Sequence, residues 1–165
     1  MRQLLATVEL RRHDWAKFRV ADNKPLDVPL YLEGLIGAES SDAAEAHYWG
    51  LENEVVIQGQ LYNSAVPVTS VIMACLCDDL TRPARTWLME LLFQIVNGES
   101  IDDETEFGNA NLGDQCRAVA REGLWVLYRE LHYGDVRAAK AILDVLVPVS
   151  NITEEIIRYR GLPTE

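Results

Sequence analysis

Cys75 and Cys77 are the residues in this sequence whose spacing most directly suggests chemistry. Two cysteines separated by one residue could belong to a zinc or redox site. They lie in an apolar stretch with helical spacing, however, and helical residues two apart point about 200° away from each other. No second cysteine pair follows, and Cys116 stands alone. We therefore expect no metal site, and cysteines that are buried as small apolar side chains.

The histidines do not form a catalytic pattern either. His13, His47 and His132 are far apart, and the sequence has no Gly-rich phosphate loop, no G-x-S-x-G and no H-E-x-x-H motif. A nucleophile and a base therefore cannot be paired from the sequence. We predict that the protein is not an enzyme and that it uses no cofactor.

Carboxylates near the ends of predicted helices are the other candidates for acid–base chemistry. Two carboxylates can perform such chemistry only in a pocket that shifts their pKa values. The sequence gives no sign of such a pocket, and charged side chains are usually solvated on helix surfaces. We therefore interpret these residues as exposed: Glu52, Glu54, Asp78 and Asp79.

The net charge restricts the class of partner. The 165 residues include 26 Asp and Glu but 15 Lys and Arg, which gives a formal charge of -11. Such a charge repels nucleic acid and anionic membranes, and it favours a basic protein partner or simply solubility. No apolar run approaches the ~18–20 residues of a membrane span, and residues 1–10 do not resemble a signal peptide. With only three cysteines, the expected compartment is a reducing cytoplasm.

The elements that must position any site are predicted to be helices organised around residues 42–77. Asp42 can cap a helix with Glu45 as its capping-box partner, and Gly59 can end that helix. A second helix can begin at Asn63 or Ser64, with Pro67 in its first turn. Short runs of strand-forming residues leave a β alternative open at 55–57 and 71–73. We favour helix because the flanking residues continue the helical spacing.

The remaining sequence predicts further helices in one domain spanning residues 1–165. Thr81 and Asp135 are expected N-caps, and a long helix is expected to begin at Asn111 or Asp114 and to end near Gly134. The tail at 161–165 is expected to fray. The total is about seven helices and no convincing strand, which is an all-α fold with short loops joining antiparallel neighbours.

Residues 99–109 interrupt this pattern with an acidic sequence. The stretch carries five carboxylates and no basic residue, and it is too long and polar for an ordinary connection between helices. It is therefore either a solvated, mobile loop or an acidic contact loop in which Ile101 and Phe107 act as apolar anchors.

Two turns in the sequence resemble the second-helix start of HEAT-type α-solenoids. These are the stretch from Asp79 to Arg85 and the stretch from Gly134 to Arg137, where a polar turn precedes a helix with Arg in its first turn. The region from about residue 15 to 147 also resembles small bacterial HEAT-like proteins, through Tyr48-Trp49 before Gly50, Gln58-Gly59 and Pro67. The resemblance implies a right-handed α-α superhelix.

The same resemblance implies binding rather than catalysis. Small bacterial HEAT-like proteins occur as immunity proteins beside toxin genes, so the expected function is to bind a cognate, basic toxin domain and block its active site or its access to the target. A general protein-binding adaptor or assembly factor is the alternative, and a DNA-repair-type enzyme would need a basic concave face. The expected partner-binding residues are Glu99, Asp102, Asp103, Glu104, Glu106, Phe107, Trp49, Gln58 and Tyr62.

Overall fold

A computed structural model describes residues 4–148 and 150–160 of the chain. The predicted all-α class is confirmed, since the structure is about 70% helix with one small sheet. The described residues form ten α-helices rather than about seven, and the frayed tail predicted for 161–165 lies outside them. The helices are α1 (Leu4–Arg11), α2 (Asp27–Ile36), α3 (Ser41–Val55), α4 (Ala65–Cys77), α5 (Arg82–Val96), α6 (Asp102–Glu106), α7 (Leu112–Glu122), α8 (Leu124–Tyr133), α9 (Val136–Leu146) and α10 (Ile152–Tyr159). A short 3₁₀ helix, Trp15–Lys17, follows α1.

The predicted long helix after Asn111 is two helices that meet at Gly123. Gly123 is the C-cap of α7 and donates its N–H to the carbonyl of Ala120 at 3.1 Å. Glycine is a weak helix former, and its lack of a side chain allows the Met73 side chain to approach the chain closely here. This break is one reason why the helices outnumber the prediction.

The pair of helices predicted at 42–77 is present with different boundaries. Ser40, not Asp42, caps α3, because its hydroxyl accepts the N–H of Ala43 at 3.2 Å. The helix ends at Val55 instead of continuing to Gly59. The β alternative is therefore correct just after Val55 and wrong at 71–73, which are helical.

A three-stranded sheet follows from this early end of α3. Strands β1 (Val56–Ile57) and β2 (Gln60–Leu61) are antiparallel and are joined by Gln58 and Gly59, whose φ values of 51° and 79° are both left-handed. Strand β3 (Glu99–Ser100) lies parallel to β2, with Gln60 opposite Glu99. The acidic part of the chain is thereby joined to the turn between β1 and β2.

The helices pack around one apolar core. Helices α2 and α3, α4 and α5, and α8 and α9 form adjacent pairs, and α5 lies between α3 and α9.

The N-caps predicted at Thr81 and Asp135 are confirmed, since their side chains accept the N–H groups of Ala84 and Ala138. None of the helices in residues 4–148 and 150–160 has the length and apolar composition needed to cross a bilayer. The largest fully buried side chains include Leu32, Leu51, Leu76, Leu88, Leu91, Leu92 and Ile95.

A buried ion pair connects α5 to α8. Arg85 Nη1 donates to Glu130 Oε1 at 2.5 Å, and Arg85 Nη2 donates to the carbonyl of Asp78 at 3.2 Å. The Glu130 side chain is only 3% exposed. Its second oxygen accepts no hydrogen bond from the described residues and lies against Gly134. The pairing with Arg85 is therefore the main compensation for burying this carboxylate.

Candidate functional site

The acidic stretch, called here the acidic segment (residues 99–109), is folded rather than a loop. It begins with β3 and continues into the five-residue helix α6. The N–H of Glu99 donates to the carbonyl of Gly59 at 2.9 Å, and the N–H of Ile101 donates to the carbonyl of Leu61 at 3.1 Å. These bonds hold the acidic segment beside the β1–β2 turn, so its carboxylates are presented from a fixed backbone.

Glu104 is the buried centre of the acidic segment. It is 0% exposed and accepts hydrogen bonds from Arg19 Nε at 3.0 Å, from the N–H of Asn63 at 3.3 Å and from Asn109 Nδ2 at 2.7 Å. The prediction that Glu104 contacts a partner therefore does not fit the structure. Its carboxylate is enclosed by these three donors, one of which is a charged guanidinium from a distant part of the chain.

Arg19 connects three parts of the chain at this position. Besides its side-chain bond to Glu104, its backbone N–H donates to Asn63 Oδ1 at 2.5 Å. Its guanidinium carbon lies 3.5 Å from the centre of the Phe107 ring, which is a cation–π contact. The segment after the 3₁₀ helix, the start of α4 and the acidic segment are thus held together. We call Arg19, Asn63, Glu104, Phe107 and Asn109 the polar knot.

Glu99 is also engaged within the protein. Its carboxylate pairs with Arg117 Nη2 at 2.9 Å, and the same nitrogen lies 2.9 Å from Asp114 Oδ1. Arg117 Nη1 additionally donates to the carbonyl of Val96 at 3.1 Å. The Glu99 side chain remains 68% exposed, so its pairing contributes little to stability and leaves the carboxylate accessible.

Apart from Glu99 and Trp49, the predicted partner-binding residues that remain accessible lie in one region around the small sheet. Asp102, Asp103 and Glu106 are exposed on α6, and Phe107 is 64% exposed. Tyr62 lies close enough that burial first, and then the charges of Asp103 and Glu104, raise its pKa. Gln58 is exposed at the adjoining turn. We call this region the acidic surface: Gln58, Tyr62, Asp102, Asp103, Glu106 and Phe107.

Trp49 belongs to a different cluster. It is 49% exposed on α3, and its ring meets that of Tyr48 edge to face with centroids 5.2 Å apart. Tyr48 in turn lies 4.8 Å from the ring of Trp87 on α5. None of the residues lining the groove at this cluster comes from the acidic segment. The structure therefore separates Trp49 from the other predicted contact residues.

The prediction that Glu54 is solvated is wrong. Glu54 is 7% exposed, and its Oε2 accepts the N–H of Asp22 at 3.1 Å while its carbonyl accepts the N–H of Ala21 at 3.2 Å. Burial raises the pKa of this carboxyl. These contacts fix the connector before α2, which explains the burial without a chemical role. Asp78 is also structural, since its carboxylate accepts the N–H groups of Leu5 and Ala6 at the start of α1.

A serine, a carboxylate and a histidine meet between α1 and α4, but not in the order of a catalytic triad. The hydroxyl of Ser70 donates to Glu9 Oε1, and His13 Nε2 lies 3.0 Å from the same oxygen. A serine nucleophile is activated by a histidine at its own hydroxyl, whereas here the carboxylate lies between them. The arrangement links the two helices.

The cysteines differ in their surroundings. Cys75 and Cys116 are buried as predicted, and burial raises their pKa values to about 12 and about 11. Cys77 is exposed, so the prediction of burial is wrong there, because two residues of a helix so spaced face opposite sides. Among the described residues, no three His, Cys, Asp or Glu side chains come together as a metal site.

This difference predicts selective thiol labelling. The thiolate is the reactive form of cysteine, and burial suppresses it in Cys75 and Cys116. We therefore expect a disulfide reagent that releases a coloured thiolate to modify the exposed Cys77 rapidly at pH 8, and the two buried cysteines only after unfolding. The measurement is the released thiolate in native and in denaturing buffer, with Cys77→Ser as the control. Two or three rapidly labelled thiols in the native protein would contradict this assignment.

The residues that build the polar knot were not identified from the sequence. Arg19 lies 85 residues from Glu104, and Asn63 lies 41 residues from it, so no local spacing relates them. A usable signal is the net excess of five acidic residues in the segment, which requires a cation from elsewhere once one of them is buried. That signal indicates that a basic residue of the same chain pairs with the acidic segment, without showing which residue it is.

Comparison with known proteins gives no matching family model, no matching curated protein and no matching solved structure.

Proposed function

We propose that this protein is a cytoplasmic immunity protein that binds a cognate toxin domain with a basic surface and neutralises it. The observation that carries the proposal is the acidic surface, where exposed carboxylates and an exposed aromatic ring are held on a folded segment. Binding blocks the active site of the toxin or its access to its target. The protein itself contributes no chemistry in this function.

The fixed backbone of the acidic segment supports a role in recognition. A mobile acidic loop would lose conformational freedom when it binds, which weakens association. Here the polar knot and β3 have already ordered the segment. Carboxylates presented in this way steer a basic partner and accelerate its association. Phe107 can supply apolar contact area at the centre of such an interface.

The proposed scaffold is a short right-handed HEAT-like superhelix. The packing of α3, α5 and α9 side by side, each paired with a preceding helix, is compatible with stacked helical repeats. Both polar turns quoted from the sequence lie at the entry to helices of this row, namely α5 and α9. A stack of this kind offers an extended surface for a protein partner.

The function is tested by co-expression of the tagged protein with the polypeptide encoded by the adjacent gene. We expect a stoichiometric complex and rescue of growth from the toxicity of that polypeptide. No complex and no toxicity would overturn the immunity function. Partners recovered from native lysate would then test the alternative of a general adaptor.

Charge reversal on the acidic surface should slow binding to this partner. The variant Asp102→Lys, Asp103→Lys and Glu106→Lys changes the net charge from -11 to -5, because each of the three reversals adds two. At low salt we expect about a tenfold lower association rate, with a weaker dependence on ionic strength and a smaller change in dissociation. Surface plasmon resonance at several salt concentrations measures all three.

A matched variant separates local from global charge. Glu33→Lys, Glu39→Lys and Glu122→Lys make the same change in net charge at exposed positions outside the acidic segment. We expect this control to slow association much less. Equal effects of the two triple variants would mean that only the overall charge matters, and would remove the acidic surface from the proposal.

A further inference from the structure

A second accessible surface lies on the row formed by α3, α5 and α9, away from the acidic segment. It is a groove of about 490 Å³ between these helices. We call it the aromatic groove, and its nine lining residues include Tyr48, Trp49, Glu52, Trp87, Glu90 and Asp135.

The groove combines aromatic rings with carboxylates. Its charged lining residues are Glu52, Glu90 and Asp135, and none of the nine lining residues is basic. Trp49 and Trp87 flank the buried Tyr48, whose ring approaches both. A cation placed over an indole ring is attracted by its electron-rich face, and the surrounding carboxylates add to the attraction.

The polar atoms of these residues are largely used within the protein. Trp49 Nε1 lies 3.3 Å from Glu45 Oε1, so the indole N–H is engaged and the exposed half of the ring offers apolar contact. Glu90 accepts a hydrogen bond from Gln94 Nε2 at 2.8 Å through one of its two oxygens. The groove therefore presents rings and negative charge more than hydrogen-bond donors.

Two ionisable side chains of the groove are affected by burial. Burial raises the pKa of Glu52. Burial first, and then the charges of Glu90 and Glu52, raise the pKa of Tyr48 to about 12. Because none of the nine lining residues is basic, a cation bound in the groove would be attracted by these carboxylates.

We infer that the aromatic groove receives an arginine side chain from a protein partner. Its guanidinium would contact the tryptophan rings on one side and the carboxylates of Glu52 and Glu90 on the other. Arginine fits better than lysine because its planar group stacks on aromatic rings and pairs with carboxylates in two directions at once. The inference rests on the proposed function in that it names a side chain of the basic partner.

The experiment uses the whole protein and capped arginine, Nα-acetyl-arginine methylamide, so it does not require the toxin. The chain has four tryptophans, and their indole N–H signals in a ¹⁵N-labelled sample report on separate places. We expect saturable shifts for Trp49 and Trp87, with a dissociation constant on the order of millimolar. The buried Trp15 and the exposed Trp125 serve as internal controls and should not shift in a saturable way.

Two ligands and two variants test the chemistry. The capped citrulline analogue has nearly the shape of arginine without its charge, and it should bind at least about fivefold more weakly. The double variant Glu52→Gln/Glu90→Gln and the single variant Trp49→Leu should each weaken arginine binding about fivefold. Trp125→Leu and Glu33→Gln should leave it unchanged. Each variant keeps the approximate size of the side chain or lies at an exposed position, so folding should be preserved.

The inference is overturned by equal binding of arginine and citrulline, by shifts that are linear for all four indoles, or by tighter binding of capped lysine than of capped arginine. If capped arginine binds but the co-expression experiment yields no toxin partner, the groove inference stands and the proposed function is rejected. If capped arginine does not bind the unmodified protein and Trp49→Leu still forms the toxin complex, the groove inference is rejected and the proposed function stands.

Discussion

Replacing Glu104 with alanine is expected to lower the free energy of unfolding by about 2–3 kcal/mol. The change removes the acceptor for Arg19, for the N–H of Asn63 and for the amide of Asn109 at a position that is 0% exposed. Arg19 is 35% exposed and can recover some hydration, which keeps the loss below that of a fully buried pair. Urea unfolding monitored by circular dichroism measures the change.

Glu106 provides the matched control for this prediction. It lies two residues away on the same short helix but is exposed, so Glu106→Ala should change the free energy of unfolding by less than about 0.5 kcal/mol. In Glu104→Ala, hydrogen exchange should also become faster at the amides of Glu99 and Ile101, which bond to the turn between β1 and β2. Similar stabilities of the two variants would contradict a stabilising role for the polar knot.

Replacing Arg85 with methionine should be comparably or more destabilising, at about 3 kcal/mol. Glu130, whose side chain is 3% exposed, would lose its close guanidinium partner and would keep only Arg129, whose Nη2 lies 3.8 Å from Oε1. The carbonyl of Asp78 would also lose a donor. The exposed Arg82 is the control, and Arg82→Met should remain within about 0.5 kcal/mol of the original protein.

A double variant distinguishes a lost ion pair from lost packing. In Arg85→Met/Glu130→Leu no buried charge is left without a partner, so most of the stability should return. The double-mutant cycle should give a coupling free energy of about 2 kcal/mol between the two positions. Additive effects would show that Arg85 stabilises the protein through its aliphatic part or through Asp78 alone.

The fold class and several local features follow from short-range rules that a sequence displays. Thr81 and Asp135 cap helices as predicted, because a hydroxyl or carboxylate just before a helix can reach an N–H three residues ahead. The apolar stripe through Leu112, Cys116 and Ala120 is buried, as its spacing indicated.

The errors arise where the rules allow two outcomes or where tertiary contacts decide. Ser40 and Asp42 are both good caps, and the structure uses the first. Gly59 was expected to end a helix, but its positive φ equally suits the turn of a hairpin, and the strand formers before it select that hairpin. At Gly123, Met73 of another helix occupies the space that a side chain would need, and glycine is a weak helix former.

The candidate site shows a similar division. The accessible carboxylates of the acidic segment were predicted from composition, which indicates exposure for most charged side chains. The burial of Glu104 depends on Arg19, whose position no spacing could supply. Trp49 was predicted as a contact residue, but its neighbours Trp87, Glu52 and Glu90 come together only through the packing of α3 against α5.

The parallel pairing of β2 with β3 has a consequence for the order of folding. The two strands are separated in sequence by α4 and α5, so pairing Leu61 with Ser100 requires this whole stretch to fold back on itself. Closing the contact between Arg19 and Glu104 requires an even longer part of the chain to be in place. We therefore expect the acidic surface to form late in folding. A chain that is still emerging from the ribosome, or one that has lost the α4–α5 hairpin, contains the same carboxylates but does not display them as a surface.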